Sequence, residues 1–404
     1  MEVEVDNIRY EIDESSRTAK VIHGLYQGEV NIPDCINING EFFSVTSIEG
    51  YAFSGCTGLT SITIPDGVTS IGESAFRRCT GLTSVNISAS VIFIEESAGD
   101  PFKSAFSGCS DLVSIKVYKN NPKYNDGNGS NCIIETETNT LIVGCKTTVI
   151  PDSVTSLGMT AFDGCKGLTS IFIPKNVTSI GGVLYSREAN ESLEFYAFSD
   201  CSNLVSIKVD KDNPVFNDGN GSNCIIETAT NSLIRGCKAT VIPNNVKRIG
   251  AGAFEDCAAS IIVPDSVTCI DFLAFGDCLG LTSISISNSV TRIEDSVFAD
   301  CRNLSSITIP DSVKRIEAFA FDNCTSLNSI VIPKSVTYID EYAFNYCKCD
   351  LISLDKKPQK LYGKISPHIS VFVPADAVEL YKQAWNHNKV LPIETSKYKD
   401  LVDK

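Results

Sequence analysis

The stretch "YAFSGCTGLTSITIPDGVTSIGE", residues 51–73, determines the reading of the whole chain, because it returns in altered form along most of the 404 residues. The Phe of its Ala-Phe-x-x-Cys element recurs at Phe53, Phe76, Phe106, Phe162, Phe198, Phe254, Phe275, Phe298, Phe321 and Phe344, most often 23 residues apart. Within the unit, Ile62 and Ile64 alternate with Ser61 and Thr63, the period of two expected of a strand with one buried face. Pro65 has no N–H to give to a ladder, so the strand ends there. Val68 and Ile71 start a return path on the opposite wall. The Ala-Phe pair then plugs the interior, before a short helical turn leads to the next Cys and Leu. One such unit cannot bury its own apolar side, whereas stacked units share a continuous core.

Composition restricts the function classes. A formal net charge of −15 repels a polyanion, which argues against nucleic acid and anionic membrane surfaces as partners. Only three histidines occur, His23, His368 and His387, leaving little material for imidazole catalysis or zinc binding in the body of the chain. No apolar run approaches the ~20 residues of a membrane-spanning helix. The start "MEVEVDNIRYEID" shows no basic segment followed by an apolar core, so no secretory signal is visible in it. No GxSxG, metal-spaced His or matched acidic pair stands out, and the expectation is a non-enzyme without cofactors.

The pattern LxxIxIPxxVTxIxxxAFxxC resembles the BspA-like class of leucine-rich repeat. The unit departs from the commoner leucine-rich repeat in carrying Pro after the strand and in placing Cys three residues before the Leu. The resemblance implies a β-rich solenoid of stacked ~23-residue turns, with parallel strands on one face, short second strands, short helical turns and a cap at each end. It also implies a protein secreted by or displayed on host-associated microbes and used in adhesion. The expected location is therefore extracellular or cell-surface, and the expected partner a host or microbial surface protein or glycan, bound by a monomer. A structural spacer without a ligand of its own is the alternative.

The expected layout is a single elongated repeat domain over 1–404. Residues 1–44 form a capping hairpin and first irregular turn, 45–349 the repeats, and 350–404 a C-terminal cap. Segments 109–165 and 201–257 align without gaps, and each contains "NDGNGSNCIIET". In the first copy Asp126, Asn128, Ser130 and Glu137 have the spacing of a calcium loop. The second copy carries Ala229 at the last position and both have Asn where the sharp-turn Gly is needed, so a turn leading into a hairpin is the better reading. Ten of the seventeen cysteines sit at one repeat position. Stacked side chains ~4.8 Å apart favour a buried reduced row over disulfides, whereas Cys132 with Cys145 and Cys224 with Cys237 flank hairpins and could pair across strands.

Candidate recognition residues come from departures from the repeat. Insertions at 95–103 and 183–195 fall at the same point of the unit and emerge on one edge. The second bears Tyr185, Arg187, Glu188 and Asn190, loop residues held on a rigid array. On the strand face, a stripe of outward serines including Ser61, Ser84, Ser114, Ser283 and Ser306 is interrupted by Lys116, Phe172 and Lys208. Trp385, the only tryptophan, is read as packing in the C-terminal cap.

Overall fold

A computed structural model describes residues 1–95, 104–186, 191–195, 197–256, 261–362 and 365–401, with the backbone alone at 182–186 and 191–195. The chain divides into two compact units, Met1–Leu204 with Val209–Pro214 and Val205–Lys208 with Val215–Lys404.

In the first unit the Leu-x-x-Ile-x-Ile segments form a parallel sheet from Gly28–Asn31, Leu59–Thr63, Ser84–Ile87 and Ser114–Val117. Its register aligns Ser61, Ser84 and Ser114 in one row and Ile62, Val85 and Ile115 in the next. Because strand side chains alternate faces, the isoleucine row is buried and the serine row is partly or fully exposed. A second parallel wall runs through Thr18–Val21, Glu41–Ile48, Ser70–Ile71 and Phe93–Ile94, and the core lies between the walls. The N-terminal segment covers the start of this wall as an antiparallel meander of Glu2–Val5, Ile8–Asp13 and Thr18–Val21.

The Ala-Phe-x-x-Cys segment is a run of i→i+3 bonded turns, as in Ser54 N→Tyr51 O (3.0 Å) and Cys56 N→Phe53 O (3.0 Å). Left-handed residues at Tyr51 (φ 61°) and Gly55 (φ 75°) stop it from extending into a helix. The residue before the repeat Cys is left-handed at Gly55, Arg78, Gly108, Gly164, Asp200, Asp256, Asp277, Asp300, Asn323 and Tyr346. Gly, Asp and Asn tolerate that conformation best, which explains why they dominate this position. Each turn thereby delivers its Phe onto the ring of the turn before, with centroids 5.0 Å apart for Phe53–Phe76 and Phe76–Phe106 and 5.2 Å for Phe162–Phe198.

The duplicated segments form hairpins, as their sequence predicts. Ile133–Glu135 pairs antiparallel with Thr140–Val143, which continues parallel to Ser156–Leu157 and Ser179–Ile180. In the second unit Ile225–Glu227, Ser232–Arg235, Arg248–Ile249 and Cys269–Ile270 repeat this order. The hairpin turns at left-handed Asn139 (φ 53°) and Asn231 (φ 54°), residues suited to it.

The rest of the second unit is more regular. Its phenylalanines Phe254, Phe275, Phe298, Phe321 and Phe344 stack at 5.3–5.5 Å with interplanar angles of 3–11°. Parallel walls are formed by Ile261–Ile262, Ser283–Ser285 and Ser306–Thr308, and by Arg292–Ile293, Arg315–Ile316, Tyr338–Asp340 and Lys360–Tyr362. Ser329–Ile332, Asp350–Ser353, Val371–Val373 and Val390–Pro392 form a further parallel sheet. Pro374 ends the third of these strands before the single α-helix among the described residues, Val378–Trp385. Trp385 is buried and its Nε1 donates to Gln359 O at 2.9 Å, so it packs in the cap as expected.

Candidate binding surface

The strand register creates outward rows whose chemistry varies along each unit. In the first unit Asn31, Thr63, Asn86 and Lys116 share one row. Lys116 is exposed and its Nζ stands 5.5 Å from the ring centroid of Tyr118, itself half-exposed. Phe172 takes the equivalent outward place in Ser170–Ile173 and is 49% exposed. Val149, in the equivalent Thr-Val-Ile-Pro segment, is 71% exposed. In the second unit Lys208 is exposed in Ser206–Val209. There Val241 and Ile262 take the outward place, at 71% and 85% exposure. Val149, Val241 and Ile262 escaped the sequence reading, although an apolar residue between the two inward positions before Pro is a signal that could have found them.

Farther along the second unit the same kind of row is covered. Phe372 and Ile352 are buried under Ile393, with Val331, Tyr398 and Leu401 packed against them. The Tyr398 ring meets Phe372 edge-on at 5.0 Å and its hydroxyl donates to Asp350 Oδ2 at 2.7 Å, while Lys397 Nζ lies 3.0 Å from the same carboxylate. A cleft of about 540 Å³ remains beside this segment, lined by Ser370, Leu391, Pro392 and Ser396 among others.

The second wall of this unit is charged but internally matched. Arg248 pairs with Asp271 at 2.5 Å, Arg292 with Glu294 and Glu317 at 3.1 and 2.9 Å, and Arg315 with Glu317 at 2.6 Å. The Arg315 guanidinium also lies 3.8 Å from the Tyr338 ring centroid. Burial pushes the Glu294 carboxyl up, partly opposed by Arg292. With its arginines already paired, this wall offers less unmatched charge than its residue types suggest.

Of the insertion residues, Tyr185 lies in the hairpin Gly182–Ser186 with Glu191–Phe195, opposite Ser192. Arg187, Glu188 and Asn190 lie outside the described residues, as do 96–103 of the other insertion. No described contact brings this hairpin together with Lys116, Phe172 or Lys208.

The repeated loop spends its oxygens on itself. Asn125 Oδ1 accepts from Gly127 N at 3.0 Å, Asp126 Oδ1 from Gly129 N at 3.1 Å, and Ser130 Oγ donates to Gly127 O at 2.8 Å. The second copy reproduces these bonds through Asn217, Asp218 and Ser222. This is an Asx-type turn, and no group of three His, Cys, Asp or Glu among the described residues could hold a metal ion.

The repeat cysteines are buried, and no disulfide forms among the described residues. Their thiols have a partner that the sequence did not reveal. Seven of those described donate to the carbonyl of a Phe in the preceding turn, Cys79→Phe53 O (2.9 Å), Cys109→Phe76 O (3.1 Å), Cys201→Phe162 O (3.2 Å), Cys278→Phe254 O (3.0 Å), Cys301→Phe275 O (3.0 Å), Cys324→Phe298 O (3.2 Å) and Cys347→Phe321 O (2.9 Å), while Cys56, in the first repeat turn, donates to Gly24 O (3.3 Å). Burial pushes the Cys79 and Cys165 thiols up to about 12, which leaves them un-nucleophilic at neutral pH. Cys145 Sγ donates to Asn131 O at 3.4 Å and Cys237 Sγ to Asn223 O at 3.3 Å. Cys257 lies outside the described residues.

Comparison with known proteins agrees with this geometry. The profile of the BspA type leucine rich repeat region matches residues 34–144, 142–235 and 234–350. Among solved structures, a leucine rich cell surface protein from Faecalibacterium prausnitzii A2-165 is 29% identical over 85% of this chain and 92% of that one, with a TM-score of 0.50. A leucine-rich repeat protein from Bacteroides ovatus is 27% identical over 97% of this chain and 99% of that one, with a TM-score of 0.37. The pneumococcal vaccine antigen PcpA is 15% identical over 97% and 98%, with a TM-score of 0.44. No curated protein sequence matches. No helix among the described residues is long and apolar enough to cross a membrane. From the matched family profile over most of its length and the repeating β-rich turns, the chain belongs to the BspA type leucine-rich repeat family.

Proposed function

We propose that this chain is a non-enzymatic binding scaffold of the bacterial cell surface or extracellular space that recognises a protein or glycan partner. The observation that carries the reading is the uncovered set of large outward side chains: Lys116 and Phe172 in one unit and Lys208 and Ile262 in the other, on otherwise small, hydroxyl-rich strands, with Val149 and Val241 at the equivalent place in segments that form no strand. Large apolar groups left in water on a rigid sheet are characteristic of recognition surfaces, and the covered Phe372 and Ile352 show how this chain buries such groups when they serve stability. The similar Faecalibacterium protein is a cell surface protein, which supports the location. The insertion with Tyr185, Arg187, Glu188 and Asn190 is the second element of the proposed site. Uniform hydroxyl rows such as Ser61, Ser84 and Ser114 favour the other reading, a spacer.

The test is binding of the purified chain to arrays of host extracellular glycoproteins and glycans. Phe172→Ser and Ile262→Ser, and separately replacement of 187–190 by glycines, are expected to weaken capture by about tenfold or more with an unchanged melting temperature. Full capture by all three variants removes these residues from the site, and absence of any ligand on such arrays supports the spacer.

A further inference from the structure

After the last Ala-Phe-x-x-Cys turn of the second unit the succession of backbone bonds from turn to turn stops, although the chain turns again at 365–370, where Ile369 N bonds Ser366 O at 3.0 Å and Ile365 and Ile369 are buried. Turn by turn, the Phe amide donates to a carbonyl of the next Ala-Phe-x-x-Cys segment: Phe254 N→Ala274 O (2.8 Å), Phe275 N→Val297 O (3.0 Å), Phe298 N→Ala320 O (2.9 Å) and Phe321 N→Ala343 O (2.8 Å). The residue two positions later does the same, in Asp277 N→Ala299 O (2.9 Å), Asp300 N→Asp322 O (2.9 Å) and Asn323 N→Asn345 O (2.9 Å). Beyond Phe344 both walls continue, through Asp350–Ser353 and Lys360–Tyr362, but the sequence carries no further Ala-Phe-x-x-Cys. Among the described residues, no acceptor meets the amides of Phe344 or Tyr346.

The surroundings of this row are shaped for a ligand. A cleft of about 290 Å³ opens beside it, lined by Tyr342, Phe344, Ile365, Pro367 and Ile369, with Glu341 as the charged group of its lining. Tyr346 is 72% exposed although it is held left-handed at φ 53°. A bulky residue is costly in that conformation and persists where its surroundings impose it.

We propose that this row is a docking site for an extended peptide segment of another protein, one that presents two main-chain carbonyls to Phe344 and Tyr346, a single apolar side chain to the cleft, and a basic residue beside it. The interface repeated between the preceding turns specifies the complement, since amide donors two residues apart are met there by backbone carbonyls. Strand or turn addition to an open backbone row draws affinity from these bonds and selectivity from the neighbouring pocket. Glu341 in the lining and Asp340 beside it favour a cationic flank over an acidic one. A second copy fits poorly through its own first repeat turn, because Ala52 O, one of the two carbonyls that turn would present, already accepts Gly24 N at 3.2 Å.

The experiment measures amide hydrogen exchange of the full chain, alone and with an acetylated, amidated peptide of valine and lysine residues around one phenylalanine. Alone, the Phe344 and Tyr346 amides should exchange much faster than those of Phe321 and Asn323. With saturating peptide their protection should rise about tenfold or more. An aspartate-for-lysine peptide should bind at least about fivefold more weakly, as should the lysine peptide to Glu341→Lys, whose melting temperature reports that it folds. Slow exchange of Phe344 and Tyr346 in the chain alone, or no added protection with peptide, overturns the proposal. Equal binding of the acidic peptide also overturns it, as does protection that grows with chain concentration and tracks dimerisation. These outcomes are independent of the outward strand rows assigned to partner binding above.

Discussion

Gly144 and its counterpart Gly236 show how tightly a single residue can be specified. A Cβ on Gly144 would lie 2.3 Å from Phe162 Cε1, and one on Gly236 2.1 Å from Phe254 Cε1. In both places the glycine amide bonds to the alanine before that phenylalanine, Gly144 N→Ala161 O and Gly236 N→Ala253 O, so the backbone cannot withdraw without losing the bond. Gly144→Ala and Gly236→Ala are each expected to destabilise the fold by about 1–3 kcal/mol through forced displacement of the ring. Urea titration monitored by circular dichroism measures this, and an unchanged midpoint would show that the ring has somewhere to move. The repeat Cys was legible from sequence as the mark of a buried column, whereas the Asp, Asn or Gly before it, which answers a left-handed backbone, was recognised only in the structure. The thiol's acceptor was not legible, because it belongs to a Phe a whole turn earlier.

At the scale of the element, Asp163 links two turns. Its carboxylate accepts a short hydrogen bond from Ser107 Oγ, and Gly108 N donates to its backbone carbonyl at 3.2 Å. Burial raises the carboxyl to about 6, with the Ser107 hydrogen bond opposing and Asp200 adding to the rise. The folded chain therefore holds this proton more tightly than the unfolded chain does. This contribution to stability should grow as pH falls through about 6 and level off below about 4, the ordinary range for an aspartate. Ionisation at pH 8 is expected to cost about 1–3 kcal/mol, less than full burial would imply because the residue keeps some contact with solvent. Asp163→Asn should be the more stable form at pH 8 and lose that advantage near pH 4. Denaturation midpoints of both proteins at the two pH values check this, and a constant difference between them contradicts it. The elements themselves were readable in advance, since alternation, Pro stops and Asn turns are local signals. The environment of Asp163 was not, because the seven-residue lengthening between Phe76 and Phe106 and the intervening hairpin hide which turn lies next to which.

For the molecule as a whole, the bare count of seventeen cysteines would fit an oxidised scaffold, but their shared repeat position and their burial lead to the opposite expectation. Of the sixteen described, Cys35 is exposed, Cys269 is partly exposed and the others are buried. A thiol reagent at pH 8 should modify Cys35 quickly and Cys269 slowly, its thiol being raised to about 12 by burial and by its hydrogen bond to Asp271. The buried set should react only in denaturant, and the full count should be reached there without reductant. Five or more rapid modifications in the native protein, or a deficit in denaturant, would contradict a reduced, buried column.

What the sequence determined by itself is the repeating turn: its inward strand rows, its phenylalanine stack, its cysteine column and its duplicated hairpins. Each depends on contacts with the same or the adjacent turn, and a near-constant repeat writes those contacts into local spacing. The tertiary structure decided which outward rows stay in water and which are covered, and where the succession of bonded turns stops. Ile393 and Tyr398 bury Phe372 and Ile352 while Val241 and Ile262 remain exposed. The Phe344 and Tyr346 amides meet no acceptor among the described residues because the turn that follows, at 365–370, bonds within itself through Ile369 N→Ser366 O and offers them no carbonyl. These outcomes depend on where distant segments come to rest, and residue spacing within a turn carries no record of that.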